Sequence, residues 1–211
     1  MPRYSILIAC DQKYYEDWGV NLLKSTHFHN PWLTLRCHIV NPGKFNKLDF
    51  VEYTTEDLLF ENETSRISYL QSARFIAVSK ISTTEFVLTL DCDTICTRSF
   101  TRTDFLKLFE KQYVLQHPKD FRWLAGLVAF SNNNFRIAYA NRLNELPTSQ
   151  WEWGRDQNIL AVLSNEYNFE PVNKSWMAIG KNKNDSAFLT LKGDQKVTYK
   201  YLKIYNNYLR E

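Results

Sequence analysis

Residues 86–100, FVLTLDCDTICTRSF, carry apolar and β-branched side chains straight into two carboxylates, Asp91 and Asp93. A short apolar run of this composition predicts a buried strand. Two charges at its end repel each other and resist desolvation, so they call for a use. The surroundings fix the setting. YSILIAC (4–10) and LTLRCHIV (33–40) predict strands, YEDWGVNLLKST (15–26) predicts a helix, and NPGK closes the second strand with a turn. A longer helix is expected from about Ser65 to Lys80, with Thr64 or Ser65 as N-cap, delivering the chain to EFVLTL. Strands alternating with helices predict an α/β fold with a mostly parallel central sheet flanked by crossover helices.

Further along, TDFLKLF predicts a short helix, YVLQH and WLAGLVAF strands, NNFRIAYANRLNEL an amphipathic helix broken by Pro147, and DQNILAVLSNE another helix. GKNKNDS is the candidate mobile loop, followed by a short strand in AFLTL. The tail KVTYKYLKIYNNYLRE mixes tyrosines with lysines, which suits a packed terminal element better than a weakly membrane-associated patch.

With 211 residues, 44% of them hydrophobic, the chain can close one sizeable core, so a single domain over residues 1–211 is expected. A formal charge of +3 gives little reason for non-specific nucleic-acid binding. The longest apolar run, Leu124 to Phe130, is far short of the roughly 18 to 20 residues of a bilayer span. The start, MPRYSILIACD, offers too short an apolar run for a secretory leader and reads as a first strand. Cys10, Cys37, Cys92 and Cys96 lack metal-site spacing and are expected as reduced thiols, mostly buried, in a cytoplasmic setting where the sequons at Asn62, Asn173 and Asn184 go unused. His27, His29, His38 and His117 form no metal motif.

Ligands of open α/β sheets bind beyond the carboxyl ends of strands, where Asp91 and Asp93 fall. In extended backbone, residues two apart share a side at a Cα separation of roughly 6.5 Å. Both carboxylates then converge on one hard cation, or one takes the metal and the other a sugar hydroxyl, with Cys92 pointing into the core. Mg²⁺ or Mn²⁺ suits such oxygen ligands together with substrate phosphates. The bland alternative is a solvent-facing turn cap. None of the six glycines forms a phosphate-cradling motif, so a bound diphosphate must be neutralised by a metal ion and by lysines.

In this setting LTLDCDTICTRSF resembles the D-x-D segment of glycosyltransferases with the GT-A fold, most nearly the family-eight group of glycogenin and bacterial galactosyl- and glucosyltransferases. ILIACDQKYYEDWGVNLLKST is similar to that family's first strand and nucleotide loop, SARFIAVSKI to its arginine segment, WLAGLVAFSNNNF to its Ala-Gly segment, WGRDQNIL to its Asp-Gln motif, and FLTLKGDQK to its C-terminal lysine-glycine pattern. The resemblance implies a Rossmann-like nucleotide-diphospho-sugar transferase. It would take a nucleoside diphosphate sugar donor, with UDP-sugars foremost, and a carbohydrate or other hydroxyl acceptor, and would keep the donor's anomeric configuration. It implies Asp91 and Asp93 as ligands of Mn²⁺ or Mg²⁺, and Asp156 and Gln157 as catalytic residues near the anomeric carbon or acceptor. Ala9, Cys10, Asp11, Tyr15, Arg74, Asp91, Ala125, Gly126, Lys192, Gly193 and Lys196 are then the nucleotide-sugar-binding residues. Tyr14 competes with Tyr15 for base stacking, and Trp151 and Trp153 are candidates for stacking on sugars or for packing. Lys192 and Lys196 serve equally as a solvated lysine face.

Two positions depart from the family pattern: Thr190 stands where a metal-binding histidine is usual, and Leu124 stands where a polar residue precedes Ala-Gly. Thr190 keeps open a non-catalytic binding module on the same fold. A metal-dependent nucleotidyltransferase or phosphate-ester hydrolase is the other alternative, although no further Asp, Glu or His cluster supports it.

Overall fold

The computed structural model describes residues 3–131, 133–179 and 186–190. Among the described residues seven strands form the main sheet: β1 Tyr4–Asp11, β2 Thr34–Val40, β3 Val51–Glu56, β4 Phe86–Leu90, β6 Tyr113–Gln116, β7 Trp123–Phe130 and β8 Glu170–Pro171. Their order across the sheet is β3-β2-β1-β4-β7-β6-β8. The pairs β1/β2, β1/β4, β2/β3 and β6/β8 are parallel, whereas β7 runs antiparallel to both β4 and β6. The sheet is therefore mostly parallel, as the strand–helix alternation predicts. A second, small sheet joins β5 Thr94–Cys96 antiparallel to β10 Phe188–Thr190, which pairs parallel with β9 Met177–Ile179.

Side chains of β1 alternate between two apolar layers. Ile6, Ile8 and Cys10 pack with Leu88 and Leu90 of β4, and Leu7 and Ala9 pack with Val87 on the opposite face. Burial on both faces explains why these strands read as continuous apolar runs. One layer is closed by α2 Val20–His29 and α4 Arg102–Lys107, the other by α3 Glu63–Ser79, α5 Asn133–Asn144 and α6 Arg155–Tyr167. All four cysteines are free and buried. No helix among the described residues is long and apolar enough to cross a membrane.

The structure differs from expectation in a few places. Helix α3 begins two residues early because Asn62, not Thr64 or Ser65, is its cap: the Asn62 side chain accepts the Ser65 N–H at 2.9 Å. The predicted helix 15–26 opens instead with a short α1 Gln12–Tyr14 and a π-helical turn Tyr15–Gly19 before α2. Strand β3 went unpredicted because it is a sheet edge with Glu52, Thr54 and Thr55 exposed, and lacks an apolar run. Most of GKNKNDS and the lysine–tyrosine tail lie outside the described residues.

The register of β4, which decides where Asp91 and Asp93 emerge, is anchored at its start. The buried Glu85 carboxylate accepts two hydrogen bonds from Arg36 of β2, at 2.8 and 3.0 Å, and the Glu85 carbonyl accepts from Arg136 of α5. Burial pushes the Glu85 carboxyl upward, but the paired hydrogen bonds and charge of Arg36 outweigh it and hold the group below its ordinary value. A carboxylate lowered on folding stabilises above its unfolded pKa and ceases to do so as pH falls through the folded value. Glu85→Gln is therefore expected to cost about 3 kcal/mol in urea unfolding at pH 7, and this difference should narrow as pH falls below about 4.

Candidate active site

Because β1 and β4 are parallel neighbours, their carboxyl ends open on the same edge of the sheet. A cavity of about 470 Å³ lies there. It brings together eight of the sequence candidates: Ala9, Cys10 and Asp11 at the end of β1, Asp91 and Asp93 just past β4, Arg74 of α3, and Tyr14 and Trp153. Helix α3 supplies a third wall, since Arg66, Ile67, Leu70, Gln71 and Arg74 recur every three or four residues and share one face. From Arg66 to Arg74 that face advances about 12 Å. Sequence reasoning singled out only Arg74; counting back along the helix from it by threes and fours finds the others.

Asp91 and Asp93 meet the cavity by a turn and not through extended backbone. The Thr94 N–H bonds the Asp91 carbonyl at 3.2 Å. The physical reason is a change of sheet, since the chain leaves β4 and enters β5 within four residues. Cys92 is nevertheless buried in the apolar layer beneath, with its thiol directed to the Ala9 carbonyl at 3.3 Å.

Each carboxylate is held. The Arg74 guanidinium lies 2.9 Å from Asp91 Oδ1 and 3.6 Å from Asp156 Oδ2, and it donates to the Ala125 carbonyl at 3.0 Å. Burial alone would lower the Arg74 pKa, but the charges of Asp91 and Asp156 outweigh it and raise the value further. Asp93, 5% exposed, accepts from the Tyr14 hydroxyl at 3.1 Å and from Thr190 Oγ1 at 3.4 Å. Burial, followed by the charge of Asp93, drives the Tyr14 hydroxyl far above its ordinary pKa, so it remains a donor. Asp11 caps α1 by accepting the Tyr14 N–H at 2.8 Å and pairs with Arg66 at 2.7 Å.

Other candidates fall off the wall. Tyr15 is fully buried, bonded to the Asn46 carbonyl at 3.0 Å and to the Tyr53 hydroxyl at 2.7 Å, so Tyr14 and not Tyr15 faces the cavity. Trp151 is 2% exposed and stacked on Tyr69, which makes it core, whereas Trp153 lines the cavity. Asp156 is buried behind Arg74, with its Oδ1 accepting the Gln157 N–H at 2.8 Å; neither Asp156 nor Gln157 is on the described wall. Ala125 and Gly126 act from behind through backbone. Lys192, Gly193 and Lys196 lie outside the described residues.

Among the described residues no three His, Cys, Asp or Glu side chains gather to hold a metal. Two carboxylates, with the other positions left to water and substrate phosphates, is nonetheless the mode of Mg²⁺ and Mn²⁺. Among the described residues the wall suits it: three carboxylates, Asp11, Asp91 and Asp93, face two guanidiniums, Arg66 and Arg74, with one net negative charge between them. Room for the Asp91 carboxylate depends on Gly126, because a Cβ there would come within 2.9 Å of Asp91 Oδ2.

No protein-family model and no curated protein matches the chain. Among solved structures it is similar to an active-site mutant of LgtC, with a TM-score of 0.66 and 13% identity over 98% of this chain and 95% of that one. It is likewise similar to galactosyltransferase LgtC in complex with donor and acceptor sugar analogs, with a TM-score of 0.62 and 13% identity over 96% and 95%. The glycosyltransferase GlyE of Streptococcus pneumoniae TIGR4 gives 0.64 and 15% over 99% of this chain, which spans 60% of GlyE. These likenesses establish the GT-A fold.

The contact at Gly126 is testable without any ligand. Gly126→Ala should cost about 1–3 kcal/mol in urea unfolding. Because the clash is with the Asp91 carboxylate, the double variant Asp91→Ala/Gly126→Ala should be less destabilised than the two single changes added together.

Proposed function

We propose that the chain is a glycosyltransferase that moves a sugar from a nucleoside diphosphate donor, a UDP-sugar foremost, to an acceptor hydroxyl. The observation that carries this reading is the convergence of Asp11, Arg74, Asp91 and Asp93 on one cavity at the carboxyl edge of a GT-A sheet. In the reaction the acceptor oxygen bonds the anomeric carbon as the bond from that carbon to the diphosphate oxygen breaks. The diphosphate leaves with the electron pair and the hydroxyl proton is released. On this reading the product keeps the donor's anomeric configuration, as the family resemblance implies.

Asp91 and Asp93 would hold Mn²⁺ or Mg²⁺, which when bound supplies Lewis-acid stabilisation of the leaving diphosphate. Arg74 fixes Asp91 and contributes positive charge beside the donor, with Asp156 acting through it as a positioning residue. Tyr14 and Thr190 orient Asp93 as hydrogen-bond donors. In this role Thr190 stands as a partner of a ligand where the family pattern has a ligand. Asp11, with Arg66, forms the ribose and base end. Lys192 and Lys196 remain candidates for neutralising the phosphates.

Calorimetric titration with UDP and GDP, with and without Mn²⁺, tests this reading. Metal-dependent binding on the order of micromolar is expected, weakened at least about a hundredfold by Asp93→Asn, and a screen of nucleotide sugars should reveal donor hydrolysis. Sugar binding that ignores the metal would point to a non-catalytic module, and phosphate release from a simple ester to a hydrolase.

A further inference from the structure

Trp153 is 68% exposed on the cavity wall, while Trp151, two residues earlier, is 2% exposed. Among the described residues Trp153 stacks on no other ring and covers no cation. A lone exposed apolar side chain needs no explanation, but Trp153 shares this cavity with Ile67, 40% exposed, and Leu70. The three are the large apolar side chains on a described lining that also carries the charged Asp11, Arg66, Arg74, Asp91 and Asp93. The segment that carries Trp153 is bonded to α3. Gly154, at φ +80° before α6, donates its N–H to Gln71 Oε1 at 3.4 Å. Gln71 is about 4.5 Å along the helix from Arg74 and about 7.5 Å from Arg66, the residue that pairs with Asp11. The segment carrying Trp153 is therefore tied to the stretch of α3 between Arg66 and Arg74 that also brings Ile67 and Leu70 to the cavity.

We infer that Trp153, with Ile67 and Leu70 lining the same cavity, is the acceptor platform and that the acceptor is a glycoside presenting a flat, C–H-lined pyranose face. This rests on the transferase reading above. The C–H face of a pyranose gives up apolar area to the indole and meets its negative π-face with polarised hydrogens, while its hydroxyl edge stays free to reach polar groups. A lipid chain would need a longer apolar groove than three side chains provide. A serine or threonine hydroxyl in a peptide would offer no ring face to match the indole.

The test uses the full chain labelled with 5-fluorotryptophan, the Trp153 resonance being assigned with Trp153→Phe. Methyl β-D-galactopyranoside, methyl β-D-glucopyranoside and lactose are titrated in the presence of UDP and Mn²⁺, with glycerol as a hydroxyl-bearing control. The Trp153 signal should move with at least one glycoside and not with glycerol. Trp153→Ala should weaken that glycoside about tenfold and Trp153→Phe by much less, with UDP affinity unchanged in both. A Trp153 signal moved by UDP, with UDP affinity lost in Trp153→Ala, would overturn the inference and make the indole a nucleobase platform. Failure of every glycoside to move the signal while UDP still binds would overturn it too. Glycoside shifts at Trp153 in a chain that binds neither UDP nor GDP would overturn the transferase reading while upholding the sugar platform.

Discussion

The Arg74 guanidinium is buried among β4, β7 and α6, and a buried cation persists only where opposite charge and acceptors surround it. Asp91, Asp156 and the Ala125 carbonyl supply these from three different elements. The bond network thus does two things at once. It ties helices α3 and α6 to the centre of the sheet, and it fixes the first carboxylate of the D-x-D turn at the cavity edge. Remove the cation and Asp91 and Asp156 would lose the positive charge they share in a partly dry site. The candidate active site and the junction of the two helices are therefore one electrostatic unit.

Around this unit the second carboxylate is treated differently. Asp93 accepts from the hydroxyls of Tyr14 and Thr190. Hydroxyl donors orient a carboxylate without cancelling its charge. An oriented carboxylate suits a site in which a divalent ion and a diphosphate arrive together. The bond to Asp93 also gives Thr190 a physical role on β10, linking the small sheet to the end of β4.

Much of the fold was legible because burial on both faces of a parallel sheet writes continuous apolar runs into β1, β2 and β4. Strand β3 was illegible for the opposite reason: an edge strand bearing Glu52 and Glu56 has no such run. Within the site, Asp91, Asp93, Asp11 and Arg74 were found from motif and strand position. Ile67, Leu70 and Gln71 were missed because residues lining a cavity on a mostly buried helix share its period with those packing the core. The Tyr14–Tyr15 and Trp151–Trp153 ambiguities could not be resolved by composition, since residues of identical type took different roles through rotation of a helical turn in one case and a turn before α6 in the other.

The order of residues by itself determined that strands alternate with helices and that two carboxylates terminate a buried strand, because backbone period and the cost of burying charge act locally. Only the tertiary structure decided which partner each carboxylate has and which tryptophan is exposed. Those outcomes depend on contacts between segments far apart in the chain, Arg74 with Asp156, Asp93 with Thr190, Gln71 with Gly154, and a local pattern carries no record of how such segments pack.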